Sequence, residues 1–235
     1  MIENVKFVFA LQKFGFQRRL QLGSMVIFYL IGVVIELATH GTFWLGMFFM
    51  MMAPMYMVQV IYSMCMSTLV TASPYGKRIQ TSIVSCGDLF FSLVSMTIIV
   101  IMKAVEVALY PQQKDALISV FVILSVMMLV LHIYTAFVYK FYVLSIVLLF
   151  VIIWPLSFYM GYSVSDTRFF TLPTIPVSFV GAVLIAHAST LLGVGLQYVL
   201  TKLIYRVPLS KYAQGAAMRK YLKNTSCKKK NPRDA

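Results

Sequence analysis

The stretch 69-LVTASPYGKRIQTSIVSCGD-88 separates two strongly apolar runs, 56–66 and 89–102. Ser73, Pro74, Gly76, Lys77, Arg78, Gln80 and Thr81 crowd into it. A polar, basic, Pro/Gly-containing segment between apolar runs reads as the loop joining two membrane spans. Composition supports that reading. The chain has 235 residues, is 60% hydrophobic and only 11% charged, with a mean hydropathy of +0.86. A soluble domain averages about 25% charged residues. A soluble chain of this length has too little polar sequence to cover so much apolar surface. The expected class is therefore an all-α polytopic membrane protein.

Outward from the stretch, six apolar runs are each near the roughly 20 residues that a bilayer requires. They cover about 22–39, 43–65, 88–110, 117–138, 141–161 and 176–200. His40-Gly41 reads as a tight turn, 111-PQQKD-115 as a short loop and 162–176 as the longest connection. Residues 1–21 form a separate amphipathic element. Phe7, Leu11 and Phe14 recur at helical spacing on one stripe, with Lys6, Lys13 and Gln17 on another face. That pattern suits a helix lying in the membrane interface. No small-x-small cleavage site follows a short apolar core, so the segment does not read as a cleaved signal. Residues 22–201 make the six-helix domain and 202–235 a basic tail.

Orientation follows from Lys and Arg. With the N-terminus inside, seventeen of the 20 basic residues fall on the cytoplasmic side, leaving Lys103, Lys114 and Arg168 outside. This bias places both termini and the 69–88 stretch in the cytoplasm. Lys228, Lys229 and Lys230 read as an anchor to anionic lipid head groups. The net charge of +13 raises nucleic acid as a partner. No aromatic–basic alternation through a polar domain accompanies it, so that partner is not expected. Cys65, Cys86 and Cys227 show no spacing for a disulfide or a zinc site.

Within the stretch, Ser73-Pro74 reads as the cap and first turn of a short surface helix. Ile79, Ile83 and Val84 give it an apolar side. Asp88 reads as the N-cap of the third span. Intramembrane ionisable residues are costly unless paired or wetted. Lys103 and Glu106 stand at i, i+3 and can pair. Glu36, with His40 one turn later, is either a capped carboxylate or a residue of a translocation path. Ala182 and Ala186 form a small-xxx-small pattern suited to close helix packing. The chain has no P-loop, no H-E-x-x-H and no G-x-S-x-G, and its three histidines are scattered. No enzyme chemistry or cofactor of its own is expected.

The segment 73-SPYGKRIQTSIVSCGD-88, the N-terminal amphipathic element and the six-span layout resemble the ABC-2 type permeases. These are the membrane subunits of ATP-binding cassette exporters. The resemblance implies that 73–84 contains or adjoins a coupling helix seated in a cleft of a separate ATPase subunit, which binds ATP-Mg. Ser73, Pro74, Tyr75, Lys77, Arg78 and Gln80 are then the coupling residues, with Tyr75 the buried anchor. A second permease chain, identical or related, completes the transporter in a bacterial plasma membrane. The 162–176 segment departs from the family in leaving little room for re-entrant helices. Two alternatives from other classes are a non-transporting membrane scaffold and a secondary transporter.

Overall fold

A computed structural model describes residues 2–14, 18–41, 43–65, 70, 72–138, 140–151, 174–208 and 210. Among these there is no strand. The helices are α1 (Ile2–Gln12), α2 (Arg18–Ala38), α3 (Trp44–Cys65), α4 (Val84–Leu109), α5 (Lys114–Val138), α6 (Tyr142–Val151) and α7 (Phe179–Leu203). A single α-turn (Gly76–Arg78) and a π-turn (Ile79–Ile83) run without a break into α4. Short 3₁₀ turns precede α5 (Pro111–Gln113) and follow α7 (Ile204–Arg206). Among the described residues, five runs are long and apolar enough to cross a membrane: α2, α3, the run through α4, α5 and α7. Of the expected 141–161 span only 141–151 is described, with Tyr142–Val151 helical. Most of 162–176 and the Lys228–Lys230 cluster lie outside the described residues.

Helix pairing defines two ends. The α2–α3 turn and the α4–α5 turn share one end, where the His40 ring lies 4.7 Å from that of Tyr110. The Gly76–Arg78 turn, Lys140 and Tyr205 share the other, where the Lys77 ammonium sits 5.8 Å from the Tyr205 ring. We refer to the His40 end and the Tyr75 end.

The main core cluster is built from α3, α4, α5 and α7. α5 packs most extensively on α7, α2 packs on α3, and α3 in turn meets α4 and α5. Met47, Met50, Phe121 and Leu124 are fully buried, together with Ala182 and Ala186 of α7. These two alanines are the small positions that bring α7 close. A second cluster, near the Tyr75 end, joins Val8 of α1 to Val58 and Ile61 of α3 and to Ile79, Ile83 and Val84. α2 and α3 touch through backbone. A Cβ on Gly32 would meet the Gly46 carbonyl at 2.7 Å, and one on Gly46 would meet the Glu36 amide nitrogen at 2.8 Å.

Three expectations need correction. The 73–84 segment is no separate helix, because the chain stays helical from Gly76 into α4. Ser73 does not cap it: the Ser73 hydroxyl donates back to the Val70 carbonyl at 2.8 Å, and Tyr75 stands at the N-cap without a side-chain bond. Asp88 does not start a helix either. It lies one turn inside α4, fully buried, where backbone N–H groups are already bonded along the helix. On α1, Leu11 of the Phe7–Leu11–Phe14 stripe packs on the second core cluster. Val8 and Gln12 are buried, while Phe7 and Phe14 are exposed.

Candidate functional site

The Tyr75 end presents a knob. The Gly76 amide donates to the Ser73 carbonyl at 3.0 Å and the Ile79 amide to the Tyr75 carbonyl at 2.9 Å, closing a tight turn with Pro74 at its tip. Pro74 is exposed, Tyr75 is 59% exposed, and Lys77 and Arg78 are exposed beside them. Arg78 donates to Asn4 Oδ1 of α1 at 2.8 Å. Ile79 and Ile83 bury the opposite side of the turn. The π-turn widens the backbone here, and such turns recur at functional sites. Gln80 faces inward. It lines a cavity of about 20 Å³ with Tyr62, Cys65, Lys140 and Thr201, large enough for about one water. Lys140 donates to the carbonyls of Val207 at 2.6 Å and Tyr205 at 3.3 Å. Its partial burial pulls its pKa below the ordinary lysine value.

Deeper in, Asp88 and His132 form a fully buried pair joining α4 to α5. Asp88 Oδ2 lies 2.8 Å from His132 Nδ1, and the Ser92 hydroxyl donates to Asp88 Oδ1 at 3.1 Å. A carboxylate on Nδ1 fixes the ring so that Nδ1 carries a proton. His132 Nε2 has no hydrogen-bond partner among the described residues. Gly193 of α7 makes room for the ring, since a Cβ there would meet His132 Cδ2 at 2.7 Å. Tyr62 of α3 faces both Asp88 and Gln197 of α7.

The His40 end holds the second charged cluster. Glu36 of α2 and Glu106 of α4 both reach the ammonium of Lys103, Glu106 at 2.9 Å. The three residues are 0%, 6% and 1% exposed in the order Glu36, Glu106, Lys103. The end of α2 is shaped for this contact. His40 (φ 53°) takes the left-handed conformation, its amide reaches the Leu37 carbonyl at 3.5 Å, and the Gly41 amide donates to the Glu36 carbonyl at 2.9 Å. That is the Schellman pattern of helix termination. It turns the Gly41 carbonyl toward Lys103, which donates to it at 3.0 Å. Gly41 (φ 72°) must be glycine, because a Cβ would collide with the Glu106 carboxylate.

The i, i+3 spacing made the Lys103–Glu106 pair readable, and it forms. The Glu36–Lys103 and Asp88–His132 pairs were missed. Each member carried the only available signal, an ionisable group within an apolar run. The pairing depends on how separate helices are staggered, which one sequence does not encode visibly. No three His, Cys, Asp or Glu side chains converge on a metal position among the described residues. No family model, curated protein or solved structure matches the chain.

Proposed function

We propose that the chain is the permease subunit of an ABC exporter, driven by a separate ATPase that docks at the Tyr75 end. The observation that carries this reading is the exposed Pro74–Arg78 knob, fused through the π-turn to α4. An aromatic and two cations at the tip of a helical run suit insertion into a protein cleft, where aromatic and Arg side chains dominate binding energy. Because the run from Gly76 to Leu109 is unbroken, a force on Tyr75 acts along α4 rather than being absorbed in a loop. α4 packs on α3 and α7, so its displacement shifts the centre of the bundle. The ATPase supplies ATP-Mg binding and hydrolysis. This reading includes a sixth span through 141–161, an interfacial α1, both termini in the cytoplasm of a bacterial cell and a second permease chain, identical or related. The basic tail, including Lys228, Lys229 and Lys230, contacts anionic head groups.

The runner-up is a secondary transporter, favoured by the buried Glu36–Lys103–Glu106 cluster. Buried ionisable groups in membrane helices mark ion or proton pathways. The cluster sits at the ends of α2 and α4 rather than midway along them, where such transporters bind their ions. A pull-down of the tagged chain from its native membrane in detergent decides between the two. A P-loop ATPase accompanies the wild type and is lost from Tyr75→Ala and from Lys77→Glu/Arg78→Glu. The purified complex hydrolyses ATP. A folded chain that brings no ATPase rejects the exporter reading in favour of the alternatives, a secondary transporter or a non-transporting scaffold.

A further inference from the structure

The three buried ionisable side chains at the His40 end do not balance in charge. Glu36, Glu106 and Lys103 are all at least nine-tenths buried, and two carboxylates face one ammonium. The Gly41 carbonyl, also turned on Lys103, adds further negative potential. Glu36 Oε2 and Glu106 Oε1 are buried with no hydrogen-bond partner among the described residues. With both carboxylates ionised, an unpaired negative charge would sit in a region shielded from water, an arrangement that proteins avoid by neutralising the group.

We infer that the Glu36–Lys103–Glu106 cluster is a proton-binding site, in which one exchangeable proton shared by the two carboxylates balances the charge. The step is simple addition: an aqueous proton joins one carboxylate, giving one carboxylic acid, one carboxylate and one ammonium. The packing selects a proton over a larger cation. Glu36 Oε2 lies against Gly46 and Glu106 Oε2 against Gly41, so closely that neither glycine could carry a Cβ. A metal ion or an organic cation needs space there, and a proton does not. Access is short, because His40, next to Gly41, is exposed. The titratable groups facing the site are Glu36 and His40 from α2 and its terminal turn, and Lys103 and Glu106 from α4. Tyr110, whose ring is tilted against that of His40, borders it. α3 contributes Gly46, which has no side chain to titrate. α2 is the least buried of the spanning-length helices, so the bound proton also secures its contact with α4. The inference rests on charge and packing and holds whether or not an ATPase docks at the other end.

The chain has only three glutamates, Glu3, Glu36 and Glu106, and Glu3 is exposed. Infrared spectroscopy of the full chain in proteoliposomes, with ¹³C-labelled glutamate, therefore reads the site directly. At neutral pH the wild type shows one protonated glutamic-acid carbonyl band, and Glu3→Gln keeps it. Either Glu36→Gln or Glu106→Gln leaves one carboxylate against Lys103 and abolishes the band. Absence of the band from wild type overturns the inference. So does its persistence in either single variant, which would mean that the proton does not answer to the charge count. The wild-type spectrum decides even if a variant fails to fold.

Discussion

Lys103 is the residue on which the His40 end depends. It ties Glu36 to Glu106 and caps the Gly41 carbonyl. Removing one partner of a buried ionic group costs about 3–5 kcal/mol, because the other charge is left without a counterion. Lys103→Met is expected to lower stability by about that amount, read from thermal unfolding in detergent. Adding Glu36→Gln and Glu106→Gln to Lys103→Met is expected to restore much of the loss. Equal instability of the single and triple variants would assign the effect to lost packing of the lysine stem. At the opposite end, Lys140 carries a different signature. Burial lowers its pKa from 10.5, so the unfolded chain holds more protons than the folded one as pH approaches that value. Stability then rises with pH in this window. The wild type is expected to gain unfolding temperature relative to Lys140→Met between neutral pH and about pH 10, and a constant difference across that range rejects the assignment. The i, i+3 spacing made Lys103–Glu106 legible beforehand. Glu36 was legible only as a carboxylate needing an explanation, because its partner lies on another helix.

Among the elements, the α2–α3 hairpin is the one whose geometry hangs on single atoms. Gly32 and Gly46 face one another at backbone contact. Gly46→Ala must displace the Glu36 amide or carboxylate, and overpacking of this kind typically costs about 1–3 kcal/mol. Gly195 of α7 has nothing within 4 Å of the added Cβ. Gly195→Ala is therefore expected to be neutral or mildly stabilising through helix propensity. Unfolding midpoints of the two variants, measured side by side, check both outcomes. The joined run from Gly76 through α4 shows what element boundaries in sequence conceal. Ser73-Pro74 reads as one helix cap and Asp88 as a second, yet the chain turns at Pro74-Tyr75 and stays helical from Gly76 through Asp88. Asp is common at helix N-caps, but here His132 and Ser92 occupy its carboxylate. A partner 44 residues away in sequence overrode the local preference.

For the molecule as a whole, the testable property is sidedness. In the proposed orientation, with basic residues concentrated on the cytoplasmic side, the Tyr75 end is expected in the cytoplasm and the His40 end outside. In a chain whose Cys65, Cys86 and Cys227 are replaced, Tyr75→Cys should react with a membrane-impermeant maleimide only after cells are opened. His40→Cys should react in intact cells. The reverse pattern would invert the topology, and with it the proposed ATPase docking side and the proton's source. Sequence alone determined the all-helical class and the approximate spans from α2 to α5 and of α7, because bilayer-length apolar runs report their own burial requirement. It also located the polar knob between two of them. Tertiary structure decided which helices touch and which buried charges meet. Glu36 with Lys103 and Asp88 with His132 join residues on different helices. Their meeting depends on helix stagger and rotation, set by close contacts such as Gly32 on Gly46 and Gly193 on His132. Those contacts are sums of many weak packing terms, and no periodicity along one chain records them.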